Sequence, residues 1–163
     1  MCSVCPAQKI DRVYDALLDC PIQTVVCRHE QNASFIAQGI ARLTGKAGVC
    51  LVTSGSGTTN LVTGFATATA EGSPEVGLGV VVPRDTRLKQ AHQCLDTATP
   101  MRTVSKSSVE VESESAIGEV LANAFPAAES PRPGAAFVGL PNDVMQAAVP
   151  DDAITPRHDA SSS

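Results

Sequence analysis

The sequence predicts an α/β protein: an open, mostly parallel sheet with helices on both faces. Three observations predict it. Short β-branched or apolar runs alternate with segments of helical periodicity along most of the chain. The runs at 48–53, 76–82 and 135–140 are apolar almost throughout, as strands buried on both faces must be. Each pair of runs is separated by a helical segment, which is what a crossover between parallel strands requires.

Within 7–19, Ile10, Val13, Tyr14, Leu17 and Leu18 recur at i, i+3, i+4, i+7 and i+8 and form one helical stripe, which Pro21 ends. Residues 24–27 make a short β-branched strand. After Arg28-His29-Glu30, a second helix places Ala33, Ile36, Ala37 and Ile40 on one face and stops at Thr44-Gly45-Lys46, with Gly45 left-handed. The strand 48–53 runs into Ser54-Gly55-Ser56-Gly57. A third helix from about Thr58 buries Leu61, Val62 and Phe65 ahead of the strand 76–82. The polar stretch 84–106 predicts only a short helix over 88–95 and a strand near 101–104. Ser113 is placed as an N-cap, with Glu114 in the first turn of a fourth helix that carries Ile117, Val120, Leu121, Ala124 and Phe125 and is cut short by Pro126. A last strand at 135–140 is closed by Pro141. The domain is therefore drawn over 1–150, with a polar tail at 151–163.

With 163 residues, 43% hydrophobic and 18% charged, the chain suits one domain with a substantial core. Lys and Arg number 12 against 17 Asp and Glu, giving a net charge of -5, and aromatic residues make up 3%, so nucleic acid is not an expected partner. No basic leader opens the sequence and no apolar run approaches the roughly 20 residues of a membrane span, so a cytoplasmic, membrane-free protein is expected. Of the six cysteines, Cys27 and Cys50 fall in apolar strands and Cys20 and Cys94 flank helical segments, a pattern of reduced thiols. Cys2 and Cys5 form a C-x-x-C without a second pair, so no metal site is expected there.

In such a sheet ligands bind beyond the carboxyl ends of the strands. That directs attention to Arg28-His29-Glu30, to the run from Thr53 through Ser54-Gly55-Ser56-Gly57 to Asn60, and to Pro83-Arg84-Asp85, all three able to line one crevice. Asn60 stands where a dinucleotide fingerprint needs its third glycine, and no Lys-Ser/Thr pair completes a P-loop. On these residues alone the turn serves equally to reverse the backbone while Thr58 caps the next helix. Glu30 taken by itself reads first as a solvent-facing carboxylate favoured by the helix dipole.

The run RHEQNASFIAQGIARLTGKAGVCLVTSGSGTTNLVTG (28–64) resembles the pyrimidine-binding (PYR) domain of thiamine-diphosphate enzymes, within the acetolactate synthase branch. The runs KIDRVYDALLD (9–19), KQAHQCLD (89–96), VSK (104–106) and RPGAAFVGLPNDV (132–144) are similar to its catabolic, flavin-free type. The resemblance implies that Glu30 bonds the pyrimidine ring nitrogen of thiamine diphosphate and stabilises the tautomer that activates the cofactor. It implies that Thr53, Asn60 and Gln93 line the pyrimidine and the reacting carbonyl, with Glu30 and Gln93 in the catalytic roles. The implied reaction decarboxylates pyruvate and condenses the remainder with a second 2-keto acid to give 2-acetolactate. The chain departs from the family's pattern at Ala7, Ser56, Met101 and Pro126.

By the same resemblance the family's first helix and strand are missing here, and with them an interior strand of the sheet. So is the diphosphate-binding domain that holds magnesium. The implied partner is therefore a diphosphate-binding domain of another chain, in a homo- or hetero-oligomer. Two other readings compete: a non-catalytic dimerisation module derived from the same domain, and a thiol-based redox or metal protein built on Cys2 and Cys5.

Overall fold

The computed structural model describes residues 1–4, 10–86 and 95–148. Its centre is a six-stranded, all-parallel sheet of strands β1 (Cys2–Val4), β2 (Thr24–Val26), β3 (Gly48–Val52), β4 (Glu75–Val81), β5 (Ser107–Glu110) and β6 (Ala135–Pro141), in the order β2-β1-β3-β4-β6-β5. The helices are α1 (Asp11–Leu18), α2 (Glu30–Thr44), α3 (Ser56–Thr59), α4 (Val62–Glu71), α5 (Ala98–Val104), α6 (Ile117–Glu129) and α7 (Asn142–Gln146). The predicted open parallel sheet is the observed one.

Two cores flank it. On one face Ala33 and Ala37 of α2, Phe65 and Ala68 of α4 and Met101 of α5 close over Cys50 and Phe137. Phe65 and Phe137 meet edge to face, with centroids 6.4 Å apart. On the other face α6 and α7 pack Ala124, Ala128 and Val144 on Val76 and Val138, while Ile10, Val13, Tyr14 and Leu17 cover Val4, Leu51 and Val80. Leu18, counted in the first helical stripe, is 82% exposed. It lies about 80° round the helix from Ile10, at the margin of the buried face.

Several expectations are corrected. Residues 2–4 carry no strand signal in the sequence. They form β1, paired on one side with β2 and on the other with β3. Ser3 hid the strand, but its buried hydroxyl is satisfied by the carbonyls of Ala33 (2.6 Å) and Val49 (3.1 Å).

The strand expected near 101–104 is the helix α5. Asp96 starts it by accepting from the Thr99 amide (3.1 Å) and hydroxyl (2.6 Å), and Pro100 sits in the first turn, where a missing N–H costs nothing. The Thr99 hydroxyl bond holds the Asp96 carboxyl below its ordinary range. The strand of this region comes later, as β5, where Ser107, Ser108 and Glu110 gave no apolar signal.

Pro126 does not end α6. The helix continues to Glu129 because Ala128 is fully buried, Ser130 N–H bonds the Pro126 carbonyl at 2.8 Å and Glu129 accepts the Ala47 N–H at 2.7 Å. The third helix is broken into α3 and α4 by a tightened bond from Leu61 N–H to the Thr58 carbonyl. Ser113 precedes a short 3₁₀ turn, but its hydroxyl pairs with Ser115 instead of capping it. α7, directly after Pro141, was not foreseen. All of the expected helix over 88–95 except Leu95, and the whole tail at 151–163, lie outside the described residues.

Candidate functional site

The chain reverses its direction of travel across the sheet between β1 and β3, the kind of switch point at which α/β sheets hold ligands. Beyond the carboxyl end of β2, Cys27 N–H extends the pairing to the Val4 carbonyl (2.7 Å). His29 then turns extended and accepts the Gln31 N–H on Nδ1 at 3.1 Å, capping α2. This makes Glu30 the first residue of α2, half-buried, with its carboxylate at the positive end of a 15-residue helix.

Beyond β3, Thr53 and Ser54 are buried and Gly55 turns the chain at φ 66°, a conformation closed to most side chains. Thr58 does not cap the following helix: its hydroxyl donates to the Thr53 carbonyl (3.0 Å) and ties the turn to the strand end. α3 then delivers Asn60, whose Nδ2 donates to Glu30 Oε2 at 2.9 Å. Between them lies Gly57. A Cβ added there would stand 3.4 Å from Glu30 Oε1 and 2.6 Å from the Thr53 methyl. Glu30, Thr53, Gly57 and Asn60 thus meet at one point, and Glu30 is held by an amide donor instead of standing free in water. Gln93, the remaining predicted site residue, lies outside the described residues.

The third strand-end segment is not part of this crevice. Arg84 turns its guanidinium to Asp143 (Nε to Oδ2, 2.6 Å) and to the Glu112 carbonyl, tying the ends of β5 and β6 to β4. Met101 is fully buried in the core, and Ser56 is exposed as the first residue of α3.

One cluster escaped the sequence reading. Glu75, the first residue of β4, is fully buried. Gln38 of α2 donates to its Oε2 (3.2 Å) and the Cys50 thiol to its Oε1 (3.2 Å), and the Ser34 hydroxyl bonds it as well. Burial pushes its carboxyl up to about 7, against the pull of these donors. The available signal was a pair of polar residues, Ser34 and Gln38, spaced i, i+4 among the buried alanines of α2.

The buried thiols of Cys2 and Cys50 are not poised for chemistry. Burial drives Cys2 up to about 11 and raises Cys50 well above the ordinary range, and a thiol is reactive as the thiolate. Cys5 lies outside the described residues. Among the described residues no three His, Cys, Asp or Glu group to hold a metal ion, and no helix is long and apolar enough to cross a membrane.

The donor set suits one half of thiamine diphosphate. A carboxylate with one oxygen fixed by Asn60, and the other facing a glycine in place of a side chain, fits the edge of an aminopyrimidine ring, which offers and accepts protons in plane.

A family model described as thiamine pyrophosphate enzyme, N-terminal TPP binding domain, matches residues 2–99. The chain is 52% identical over 140 residues to the catabolic acetolactate synthase of Raoultella terrigena, covering 86% of this chain and 25% of that protein. It is 51% identical over 140 residues to acetolactate synthase of Bacillus subtilis (strain 168), with the same coverage of 86% and 25%. To the acetolactate synthase isozyme 2 large subunit of Escherichia coli (strain K12) it is 40% identical over 142 residues, 87% of this chain and 26% of that subunit. The chain spans about a quarter of the length of these relatives.

Proposed function

The chain belongs to the thiamine pyrophosphate enzyme family through its N-terminal TPP binding domain, and on that premise we propose that it is the pyrimidine-binding half of an acetolactate synthase-like carboligase. Its substrates in this reading are pyruvate and a second 2-keto acid, and its product is 2-acetolactate. The observation that carries the reading is the contact between Glu30 Oε2 and Asn60 Nδ2, 2.9 Å long, beside a residue without a side chain.

Each residue has a defined task. Glu30 would hold a proton at the ring nitrogen of the pyrimidine. Asn60, bonded to the other carboxylate oxygen, fixes the rotamer that makes this possible. Gly57 would leave room for the ring, and Thr53, buried at the end of β3, would line the site beside it. Gln93 is assigned to the reacting carbonyl by the family resemblance. Bound thiamine diphosphate supplies the carbon nucleophile and electron sink that protein side chains lack. Magnesium and the diphosphate belong, in this reading, to a diphosphate-binding domain of another chain in a homo- or hetero-oligomer. The free thiols of Cys2, Cys20, Cys27 and Cys50 suit a reducing, cytoplasmic setting.

The test is reconstitution. Mixing the chain with one bearing a diphosphate-binding domain, thiamine diphosphate, magnesium and pyruvate yields acetolactate, and Glu30→Gln lowers turnover by about 10²- to 10⁴-fold, the usual scale of a lost proton-transfer group. No acetolactate from the mixture, with binding of the larger chain intact, leaves a non-catalytic dimerisation module in its place.

A further inference from the structure

The buried cluster around Glu75 sits on the helix that carries Glu30. Ser34 follows Glu30 by four residues and Gln38 follows Ser34 by four, so all three lie along one side of α2. Gln38 Nε2 joins three elements at once: Glu75 Oε2 on β4 (3.2 Å), the Ser34 hydroxyl (3.2 Å) and the Gly64 carbonyl on α4 (3.0 Å). At Gly64 the helices touch so closely that a Cβ would stand 2.0 Å from Ser34 Oγ. The position of α2 along the sheet is thus keyed through Ser34 and Gln38 to a single carboxyl group.

Among the described residues no cation stands beside that carboxyl. From α2 it meets Ser34 and Gln38, and Arg42, one turn further, turns to Ser73 Oγ (2.9 Å) and to Glu71. From β3 it meets the Cys50 thiol, and from α4 the Gly64 carbonyl lies across Gln38; the Glu75 main chain pairs with Ala135 of β6 and donates its N–H to the Gly134 carbonyl just before that strand. An ionised carboxyl in such a place is costly, and the surroundings must open to water or rearrange to accommodate it.

We propose that Glu75 is a positioning residue: while protonated it locks α2 in the register that presents Glu30 to Asn60, and its ionisation releases the helix. The consequence for Glu30 rests on the thiamine reading above, whereas the lock itself does not. Burial brings the carboxyl to about 7, so the release falls within ordinary working conditions.

Hydrogen exchange of the whole chain, read by mass spectrometry and corrected for the intrinsic pH dependence of exchange, tests this without cofactor. In the wild type, opening of α2 is expected to rise about 70-fold between about pH 5 and pH 8 and then level off, for a carboxyl that returns to its ordinary range when exposed. In Glu75→Gln the profile is flat. Should Glu75→Gln not fold, Cys50→Ala removes one donor to the ionised form and extends the rise to higher pH before it levels off. A flat wild-type profile overturns the proposal, as does an α2 that opens no more readily than the whole chain unfolds in urea at the same pH, which marks a loss of overall stability only. Because no cofactor is present, failure here leaves the reconstitution result untouched, and failure there leaves this profile intact.

Discussion

Replacing Glu75 by glutamine should change how the stability of the whole chain depends on pH, with a sign that follows from burial. The carboxyl titrates near 4.5 when exposed and near 7 in the folded protein. Between those values the folded state binds more protons than the unfolded one. The contribution of Glu75 is therefore fully present below pH 4.5, declines as pH rises and is lost above 7. At about 1.4 kcal/mol for each unit of pKa, about 2 to 3 kcal/mol disappears between about pH 5 and pH 8. Glu75→Gln keeps the shape and an amide able to donate and accept, but it does not titrate. Whatever constant offset the substitution brings, its stability relative to wild type must grow by about 2 to 3 kcal/mol across that interval. Urea unfolding followed by far-ultraviolet circular dichroism measures the difference at each pH, without reliance on tryptophan, which the chain lacks. A difference that stays constant to within about 0.5 kcal/mol would refute the assignment of a neutral, buried Glu75.

Gly57→Ala forces a methyl to within 2.6 Å of the Thr53 methyl, so it should cost about 1 to 3 kcal/mol and push the turn away from Glu30. Thermal unfolding reads the first effect, and loss of turnover in the reconstituted mixture reads the second. Asp96→Ala removes both bonds that start α5 and should cost about 1 kcal/mol, seen as a lowered urea midpoint with an unchanged slope.

Much of this architecture was legible because its central strands are apolar end to end. β3, β4 and β6 could be read directly, and the helices before and between them followed from the spacing of Ala33, Ala37, Phe65 and Val120. What escaped depends on partners distant in sequence. Ser3 looks polar until Ala33 and Val49 accept its proton, and β5 exists because β6 offers it a ladder. Thr103 and Val104 are β-branched and suggest a strand, yet the Asp96 cap and the burial of Met101 fix a helix.

The site divides in the same way. Glu30, Thr53 and Asn60 could be placed at strand ends, but the bond between Asn60 and Glu30 spans thirty residues and becomes visible only once β2 and β3 flank β1. Glu75 was the least legible. An acidic residue ahead of an apolar run ordinarily marks a solvent-facing strand start, and only the stacking of α2 on the sheet brings Ser34 and Gln38 over it.

Both margins of the sheet are brief: three residues of β2 on one side and four of β5 on the other. A foreign strand laid along either would find too few rungs to hold it, and on the β5 side it would also meet Glu110. The molecule can therefore leave main-chain groups open to water at both borders without becoming a template on which further copies stack into fibrils.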